Sequence, residues 1–232
     1  MIPLHDDNPT ELTPVITVAI ILACVLVFLY QVSLPAGPGE LFVFEFGAIP
    51  AVVFGQAHLP AVAIPAYATL ITSMFLHGGW MHLIGNMLYL WIFGNNIEDV
   101  MGHARFVLFY LACGILAALS HAITDPASTV PMVGASGAIS GVLGAYVLLF
   151  PRAHVLVLLP GIGMTRVAAG IVLGMWFVTQ LLSGGMSVGT SGGGIAFFAH
   201  IGGFVGGMML IGLFKRPDVP YFAPERPRRW NL

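Results

Sequence analysis

The stretch "VPMVGASGAISGVLGAY", Val130 to Tyr146, places two serines four residues apart among glycines and apolar residues. Glycines at such short intervals are typical of helices whose backbones approach each other closely in lipid. A serine inside such a helix often bonds to its own backbone, so its hydroxyl has either a structural or a chemical role. The stretch therefore predicts a closely packed helix and leaves the role of its two serines open.

The composition indicates the solvent around that helix. Of the 232 residues, 58% are hydrophobic and 8% are charged, whereas about 25% of the residues of an ordinary soluble domain are charged. Apolar runs of about 20 residues, the length that a helix needs to cross a hydrocarbon core, recur along the chain. The sequence therefore predicts an all-α polytopic membrane protein.

Six membrane-spanning helices are predicted, and a long connection separates the first from the second. The predicted spans are 14–33, 82–101, 104–123, 136–150, 166–183 and 195–214. The connection, residues 35–81, is rich in proline, glycine and aromatic residues but is too apolar for a water-exposed loop. A partly membrane-embedded excursion is therefore predicted there. No cleavable signal peptide is expected, because the first fourteen residues contain no lysine or arginine.

The basic residues predict the orientation of the chain in the membrane. All eight lie after even-numbered spans: Arg105, Arg152, Arg166, Lys215, Arg216, Arg226, Arg228 and Arg229. By the positive-inside rule, these segments and both termini face the cytoplasm. The predicted organisation is a short cytoplasmic segment (1–13), a membrane domain (14–214) and a basic cytoplasmic tail (215–232), with a prokaryotic plasma membrane as the expected location.

Three polar residues from three predicted spans lie at one depth. At about 1.5 Å of rise per residue, Ser136 and His200 lie roughly 22–24 Å above the cytoplasmic interface, counted from Arg152 and Lys215. Asn86 lies in the same layer, sixteen residues before the turn that follows its span. In a core about 30 Å thick, this layer is below the outer surface but far from the centre.

The residue types in this layer are typical of hydrolytic chemistry. An imidazole can take the proton of a serine that attacks a carbonyl group, and a histidine inside a membrane is a functional hypothesis by default. His82 and Asn86 are four residues apart and share a helix face, from which they and the Ser136 backbone N–H would reach a developing oxyanion. The alternative is structural, with Asn86 bridging helices and His82 lying at the interface.

Three motifs at these positions resemble the signatures of the rhomboid family of intramembrane serine proteases: Gly134-Ala135-Ser136-Gly137, His82-x-x-x-Asn86 and Ala199-His200-x-x-Gly203. The resemblance covers nearly the whole chain and implies a six-helix bundle. It implies that Ser136 is the nucleophile and His200 the base of a Ser-His dyad. It further implies oxyanion binding by His82 and Asn86, and tight packing around the serine at Gly134 and Gly137.

Other positions follow or depart from the family pattern. Glu98 matches a family glutamate that is usually structural, and it is predicted to be a buried hydrogen-bond acceptor. Ala68 and Thr69 stand where many members carry a Trp-Arg pair, so the first loop needs a different anchor in this chain. Ser140 stands where several members place an aromatic residue on the histidine ring, so His200 needs other neighbours to orient it.

Two further features bear on access to the site. The glycine-rich segment 183–194 has the composition of a flexible loop, and the resemblance implies that it caps the active site; a plain connector is the alternative. The resemblance also implies that Trp176 and Phe177 on span five flank a lateral route for a substrate helix.

No metal or cofactor is expected. His77 and His82 are five residues apart, about 140° round a helix, which is a poor spacing for chelation. No HExxH motif of a membrane metalloprotease occurs. Cys24 and Cys113 fall in the middle of apolar runs and are predicted to be packing residues rather than a disulfide or metal site.

The sequence thus predicts an intramembrane serine endopeptidase that hydrolyses peptide bonds in or near transmembrane segments. Its expected partners are transmembrane protein substrates and the lipid bilayer, without nucleic acid, and its oligomeric state is not predicted. A rhomboid-like pseudoprotease that binds membrane clients without cleaving them is one alternative, although such relatives typically lack the serine or the histidine. A transporter or channel is another, but the polar layer lies nearer the outer face than a midplane site would.

Overall fold

The computed structural model describes residues 1–58, 64–187 and 197–224, and most of them are helical. The helices are α1 (Val15–Ser33), α2 (Ala36–Phe46), α3 (Pro50–Val53), α4 (Ala66–Thr72), α5 (Trp80–Tyr89), α6 (Asn95–Met101), α7 (His103–Ala122), α8 (Ser136–Leu149), α9 (Ala169–Ser187) and α10 (Phe197–Phe214). A π-helical turn, Leu90–Gly94, joins α5 to α6. The strands are β1 (Ile2–Asp6), β2 (His154–Leu159) and β3 (Gly163–Ala168).

Four helices among the described residues are long and apolar enough to cross a membrane: α1, α7, α9 and α10. The qualifying segments contain 18 to 20 residues, which at about 1.5 Å per residue match a hydrocarbon core about 30 Å thick. Large apolar side chains such as Leu26 and Leu108 point outward from α1 and α7 and are at least 60% exposed. Such faces are suited to contact with lipid, and the chain is a mostly helical membrane protein.

Helix α8 lies in the core of the bundle and packs against α7 and α10. Every residue from Gly137 to Tyr146 is buried. A Cβ added at Gly144 would overlap the backbone of Phe204, and one added at Gly207 would overlap the carbonyl oxygen of Gly141. The α8 and α10 backbones are therefore in direct contact, which is the close approach that small residues allow between membrane helices.

The two cysteines are packing residues, as the sequence predicted. Cys24 and Cys113 are both fully buried with free thiols. Cys113 lies on α7 against the glycine face of α8, where a Cβ added at Gly141 would lie 2.5 Å from its Sγ.

A three-stranded antiparallel sheet departs from the all-helical prediction. Strand β2 pairs with β3 in a hairpin and with the N-terminal strand β1 on its other edge. Val155 and Val157 are buried while Leu156 and Leu158 are not, which is the two-residue period of a strand. The prediction that span five begins at residue 166 is wrong, because 163–168 belong to β3 and α9 begins at Ala169. Strand β1 pairs with a distant segment, so no local pattern indicates it.

Glu98 holds the first turn of α1. Its Oε2 accepts hydrogen bonds from the backbone N–H and the hydroxyl of Thr17 at 2.8 and 2.7 Å. Its Oε1 accepts from the Ile16 N–H at 2.9 Å and lies 2.6 Å from His103 Nδ1. The first N–H groups of a helix have no partner within the helix, so this carboxylate caps α1. The prediction that Glu98 is a buried hydrogen-bond acceptor is confirmed.

The predicted first connection, 35–81, is largely helical where it is described. It contains α2, α3 and α4, and side-chain hydrogen bonds hold it together and join it to α1. The Thr72 hydroxyl donates to the Phe46 carbonyl oxygen at 2.7 Å, and the Gln31 side-chain amide donates to the His77 carbonyl oxygen at 2.9 Å. Thr69 is buried and its hydroxyl bonds within α4. The Thr72–Phe46 bond therefore joins two parts of the connection, and the Gln31–His77 bond anchors the connection to α1.

Asp6 fastens β1 to the helical bundle. Its Oδ2 accepts hydrogen bonds from the Tyr146 hydroxyl at 2.7 Å and from the Asn96 side-chain amide at 2.8 Å. Burial raises the pKa of Asp6 from 3.8 to about 6, so the folded chain keeps a proton that the unfolded chain releases between about pH 4 and 6. Stability from this group is therefore present at low pH and is lost as the pH rises through that interval.

The substitution Asp6→Asn should remove this pH dependence. A shift of about two pKa units corresponds to roughly 3 kcal/mol, so the melting temperature of the native chain in detergent should fall between about pH 4.5 and 7. Because an amide does not ionise, the melting temperature of Asp6→Asn should change less over the same interval. If the melting temperatures of the two proteins changed equally with pH over this interval, the role of Asp6 would be contradicted.

Candidate active site

Ser136 and His200 lie side by side although 64 residues separate them in sequence. His200 Nε2 is 2.8 Å from Ser136 Oγ. Ser136 is the first residue of α8, and His200 lies in the first turn of α10, so the pair joins the N-terminal ends of two packed helices. A serine hydroxyl within hydrogen-bond distance of an imidazole is the geometry of a nucleophile with its general base.

Glycines beside the pair allow this approach. A Cβ at Gly203 would overlap the carbonyl oxygen of Gly137, and a Cβ at Gly137 would lie 2.6 Å from the Cβ of Ala117. Side chains at either glycine would therefore push α10 or α7 away from α8. The short distance between Ser136 Oγ and His200 Nε2 thus depends on glycine at positions 137 and 203.

His82 and Asn86 face one space beside Gly134, two residues before Ser136. A Cβ built on Gly134 would lie 2.8 Å from His82 Nε2 and 3.7 Å from Asn86 Nδ2. Gly134 has a φ of +126°, which side-chain-bearing residues rarely adopt. Glycine at this position therefore keeps the space between the two side chains open.

Both side chains present hydrogen-bond donors near this space. The Gly78 N–H donates to His82 Nδ1 at 3.3 Å, so the neutral ring carries its own hydrogen on Nε2. Asn86 Nδ2 is buried and has no hydrogen-bond partner among the described residues. A buried donor without an acceptor costs about 1–3 kcal/mol. The arrangement is suited to binding a negatively charged oxygen, which would accept from both donors.

Two residues of α9 contact the His200 ring. Gln180 Oε1 lies 2.8 Å from His200 Nδ1. The Trp176 ring lies against the imidazole with the ring centroids 5.8 Å apart and the planes at 38°. Gln180 is not among the site residues predicted from the sequence. The available signal was a polar residue in an apolar span, four positions after Trp176 and hence on the same helix face.

The hydroxyl of Ser140 is used within α8. It donates to the carbonyl oxygen of Ser136 at 2.6 Å, which is the bond four residues back that serines commonly make inside helices. His200 is contacted instead by Gln180 and Trp176 on α9. The Ser140 hydroxyl therefore bonds within its own helix, whereas the Ser136 hydroxyl lies against His200 of another helix.

The segment predicted to cap the site, 183–194, lies mainly outside the described residues. Only 183–187 are described, and they form the end of α9. Phe177 on the same helix stacks on Phe204 of α10 with the ring centroids 4.4 Å apart. Trp176 and Phe177 thus pack α9 onto α10 beside the Ser136–His200 pair.

Comparison with known proteins identifies a family. A model of the Rhomboid domain matches residues 65–217. Rhomboid protease GluP of Bacillus subtilis (strain 168) is 34% identical over 175 residues, covering 74% of this chain and 31% of that protein. Rhomboid-like protein 11, chloroplastic, of Arabidopsis thaliana is 29% identical over 162 residues (66% and 54%). Rhomboid protein 1, mitochondrial, of Saccharomyces cerevisiae is 30% identical over 150 residues (61% and 40%). The matched region is about a third to a half of each relative.

Proposed function

The chain belongs to the rhomboid family, and on that premise we propose that it is an intramembrane serine endopeptidase. It would hydrolyse peptide bonds in or near transmembrane segments of other membrane proteins. The observation that carries the proposal is the 2.8 Å separation of Ser136 Oγ and His200 Nε2. A structural serine would bond only to its own helix, whereas this hydroxyl lies against a base that can take its proton.

The proposed domain has six spans. They are the four long helices, the continuous helical segment 80–101, and α8 with the chain leading into it. The segment 80–101 is roughly 33 Å long and α8 roughly 21 Å at about 1.5 Å per residue. The distribution of basic residues supports cytoplasmic termini, with 14–214 as the catalytic membrane domain between the flanks 1–13 and 215–232. The dyad then opens to the outer side of a prokaryotic plasma membrane, and 35–81 is partly embedded.

The proposed reaction begins with attack of Ser136 Oγ on the scissile carbonyl carbon, while His200 Nε2 takes the hydroxyl proton. The oxyanion accepts hydrogen bonds from Asn86 Nδ2, His82 Nε2–H and the Ser136 backbone N–H at the start of α8. His200 then gives its proton to the leaving amine as the C–N bond breaks and an acyl-serine remains. Water, deprotonated by His200, hydrolyses the ester and restores Ser136.

Replacing Asn86 with leucine should impair catalysis without unfolding the protein. Loss of one oxyanion donor should lower kcat by about 10²- to 10³-fold. Asn86 Nδ2 makes no hydrogen bond among the described residues, so its loss should change the melting temperature by only a few degrees. Both quantities are measured on the purified variant in detergent. A large drop in melting temperature with native kcat would instead indicate that Asn86 bridges helices.

A rhomboid-like pseudoprotease that binds transmembrane clients without cutting them is the alternative function. A fluorophosphonate or isocoumarin probe separates the two, because it reacts covalently only with an activated serine. We expect labelling of the native chain and none of Ser136→Ala at equal folded concentration. Client binding by a native chain that neither labels nor cleaves would support the pseudoprotease and overturn the enzyme.

A further inference from the structure

Three helices each contribute one side chain to a continuous chain of hydrogen-bonding groups. Ser136 on α8 lies 2.8 Å from Nε2 of His200 on α10, and Gln180 on α9 lies 2.8 Å from Nδ1 of the same ring. Each imidazole nitrogen therefore has its own neighbour. In a neutral ring one nitrogen carries hydrogen and the other accepts, so the group that faces Nδ1 determines what Nε2 can do.

The helix around Gln180 sets the orientation of its amide. Gln180 Nε2 lies 3.4 Å from the Trp176 carbonyl oxygen and 3.3 Å from Thr179 Oγ1. The Thr179 hydroxyl already donates to the Trp176 carbonyl at 2.6 Å, so its oxygen is available as an acceptor. The amide NH₂ group satisfies both acceptors only in this orientation. The opposite orientation would set two carbonyl oxygens against each other, so Gln180 Oε1 faces His200.

From this geometry we propose that Gln180 is a positioning residue for His200. Its Oε1 can only accept, so it holds hydrogen on Nδ1 and leaves the Nε2 lone pair for the Ser136 hydroxyl. The inference rests on the proposed function, since the benefit is a base ready to take the Ser136 proton. The Trp176 ring lies against the His200 imidazole and limits rotation of the imidazole away from the Ser136 hydroxyl.

The proposed role resembles that of the orienting acid in a Ser-His-Asp triad, but without its charge. A neutral amide fixes the tautomer and the direction of the ring, whereas a carboxylate also stabilises the protonated imidazole. Within the part of the chain that the structure describes, the other titratable groups that interact electrostatically with His200 are His82 and His121, and neither is changed in the variants below. A change of Gln180 to glutamate therefore isolates the effect of charge at Nδ1.

The test compares Gln180→Leu, Gln180→Glu and the control Val178→Ala. Val178 is half exposed on the same helix, about 200° round from Gln180. For Gln180→Leu we expect the rate of fluorophosphonate labelling and kcat to fall by about 10- to 100-fold, with KM changed by less than about twofold, because the ring loses its orientation but the substrate contacts remain. Val178→Ala should label and cleave as the native chain does.

For Gln180→Glu we expect activity to be retained, because the carboxylate also accepts from Nδ1. The acidic limb of its pH profile of kcat/KM should move to higher pH, because the added negative charge stabilises the protonated ring. A residue that merely packs α9 onto α10 would not move this limb. The labelling rate is recorded over the same pH range, since it depends on the nucleophile and not on substrate docking.

The outcomes separate this inference from the function on which it rests. A native chain that neither labels nor cleaves overturns the proposed function and the positioning role together. If the native chain is active, a folded Gln180→Leu with native kcat and native labelling rate overturns the positioning role alone. The same holds for a Gln180→Glu profile that superimposes on the native one. If Gln180→Leu fails to fold, the pH profile of kcat/KM for Gln180→Glu alone tests the positioning role.

Discussion

Replacing Ser136 or His200 with alanine is expected to lower the rate of cleavage by at least about 10⁴-fold, since nucleophile and base act as one unit. The fold should persist, because α8 and α10 are held by their glycine contacts and not by the bond between these two side chains. Cleavage of a transmembrane substrate is measured with purified chains in detergent, alongside melting temperatures. The double variant should be no slower than either single variant.

Ser140→Ala is the matched control for the loss of Ser136. It removes the same hydroxyl one turn further along the same helix, where that hydroxyl bonds to the Ser136 carbonyl oxygen. Serine bonds of this kind contribute little to helix stability, so activity within a few-fold of native is expected. Equal losses in Ser140→Ala and Ser136→Ala would mean that the serines act through the packing of α8, and the nucleophile assignment would be abandoned.

The second large effect concerns Gly207, which lies away from the Ser136–His200 pair on α10. A Cβ at Gly207 would overlap the carbonyl oxygen of Gly141, so Gly207→Ala should force α10 away from α8. Added volume in a tight core usually costs about 1–3 kcal/mol. We expect a melting temperature several degrees lower and, because His200 moves with α10, a loss of most probe labelling.

Gly174→Ala on α9 is expected to have the opposite effect on the melting temperature. Among the described residues, and apart from its chain neighbours and its own helix backbone, no atom lies within 4 Å of a Cβ added at Gly174. Alanine is favoured over glycine inside a helix by about 0.5–1 kcal/mol. Its melting temperature should therefore be equal to or above that of the native chain. If both alanine substitutions shift the melting temperature by the same amount, backbone contact between α8 and α10 is not what holds the pair together.

The residues of the candidate site could be found in the sequence because each is chemically out of place. A histidine, an asparagine and a serine in apolar helices need partners, and their depths could be compared by counting from the charged residue or turn that follows each span. The structure places Ser136 Oγ 2.8 Å from His200 Nε2, and it places His82 and Asn86 beside Gly134. Long apolar runs likewise predicted α1 and α7 nearly to their ends. A segment that crosses lipid must satisfy its backbone hydrogen bonds internally, so a long apolar run indicates a helix.

The features that sequence reasoning missed depend on contacts between distant segments. Strand β1 lies within the predicted short cytoplasmic segment 1–13, where no local pattern indicates it, because its partner β2 lies some 150 residues away and Asp6 is buried only when the sheet docks. Gln180 is an ordinary polar residue until the packing of α9 on α10 sets its amide against His200. The helices within 35–81 are short, and proline or glycine occurs in α2 and α3, so local propensity gave no clear helical signal there.

The most direct test of the central claim is to identify the fragments made when the purified chain and a transmembrane substrate share one liposome. The native chain is predicted to produce two new peptide ends in or near the transmembrane segment, located by mass spectrometry. An equal amount of folded Ser136→Ala is predicted to produce neither. Fragments that form at the same rate with both chains, or with neither, would contradict hydrolysis through Ser136.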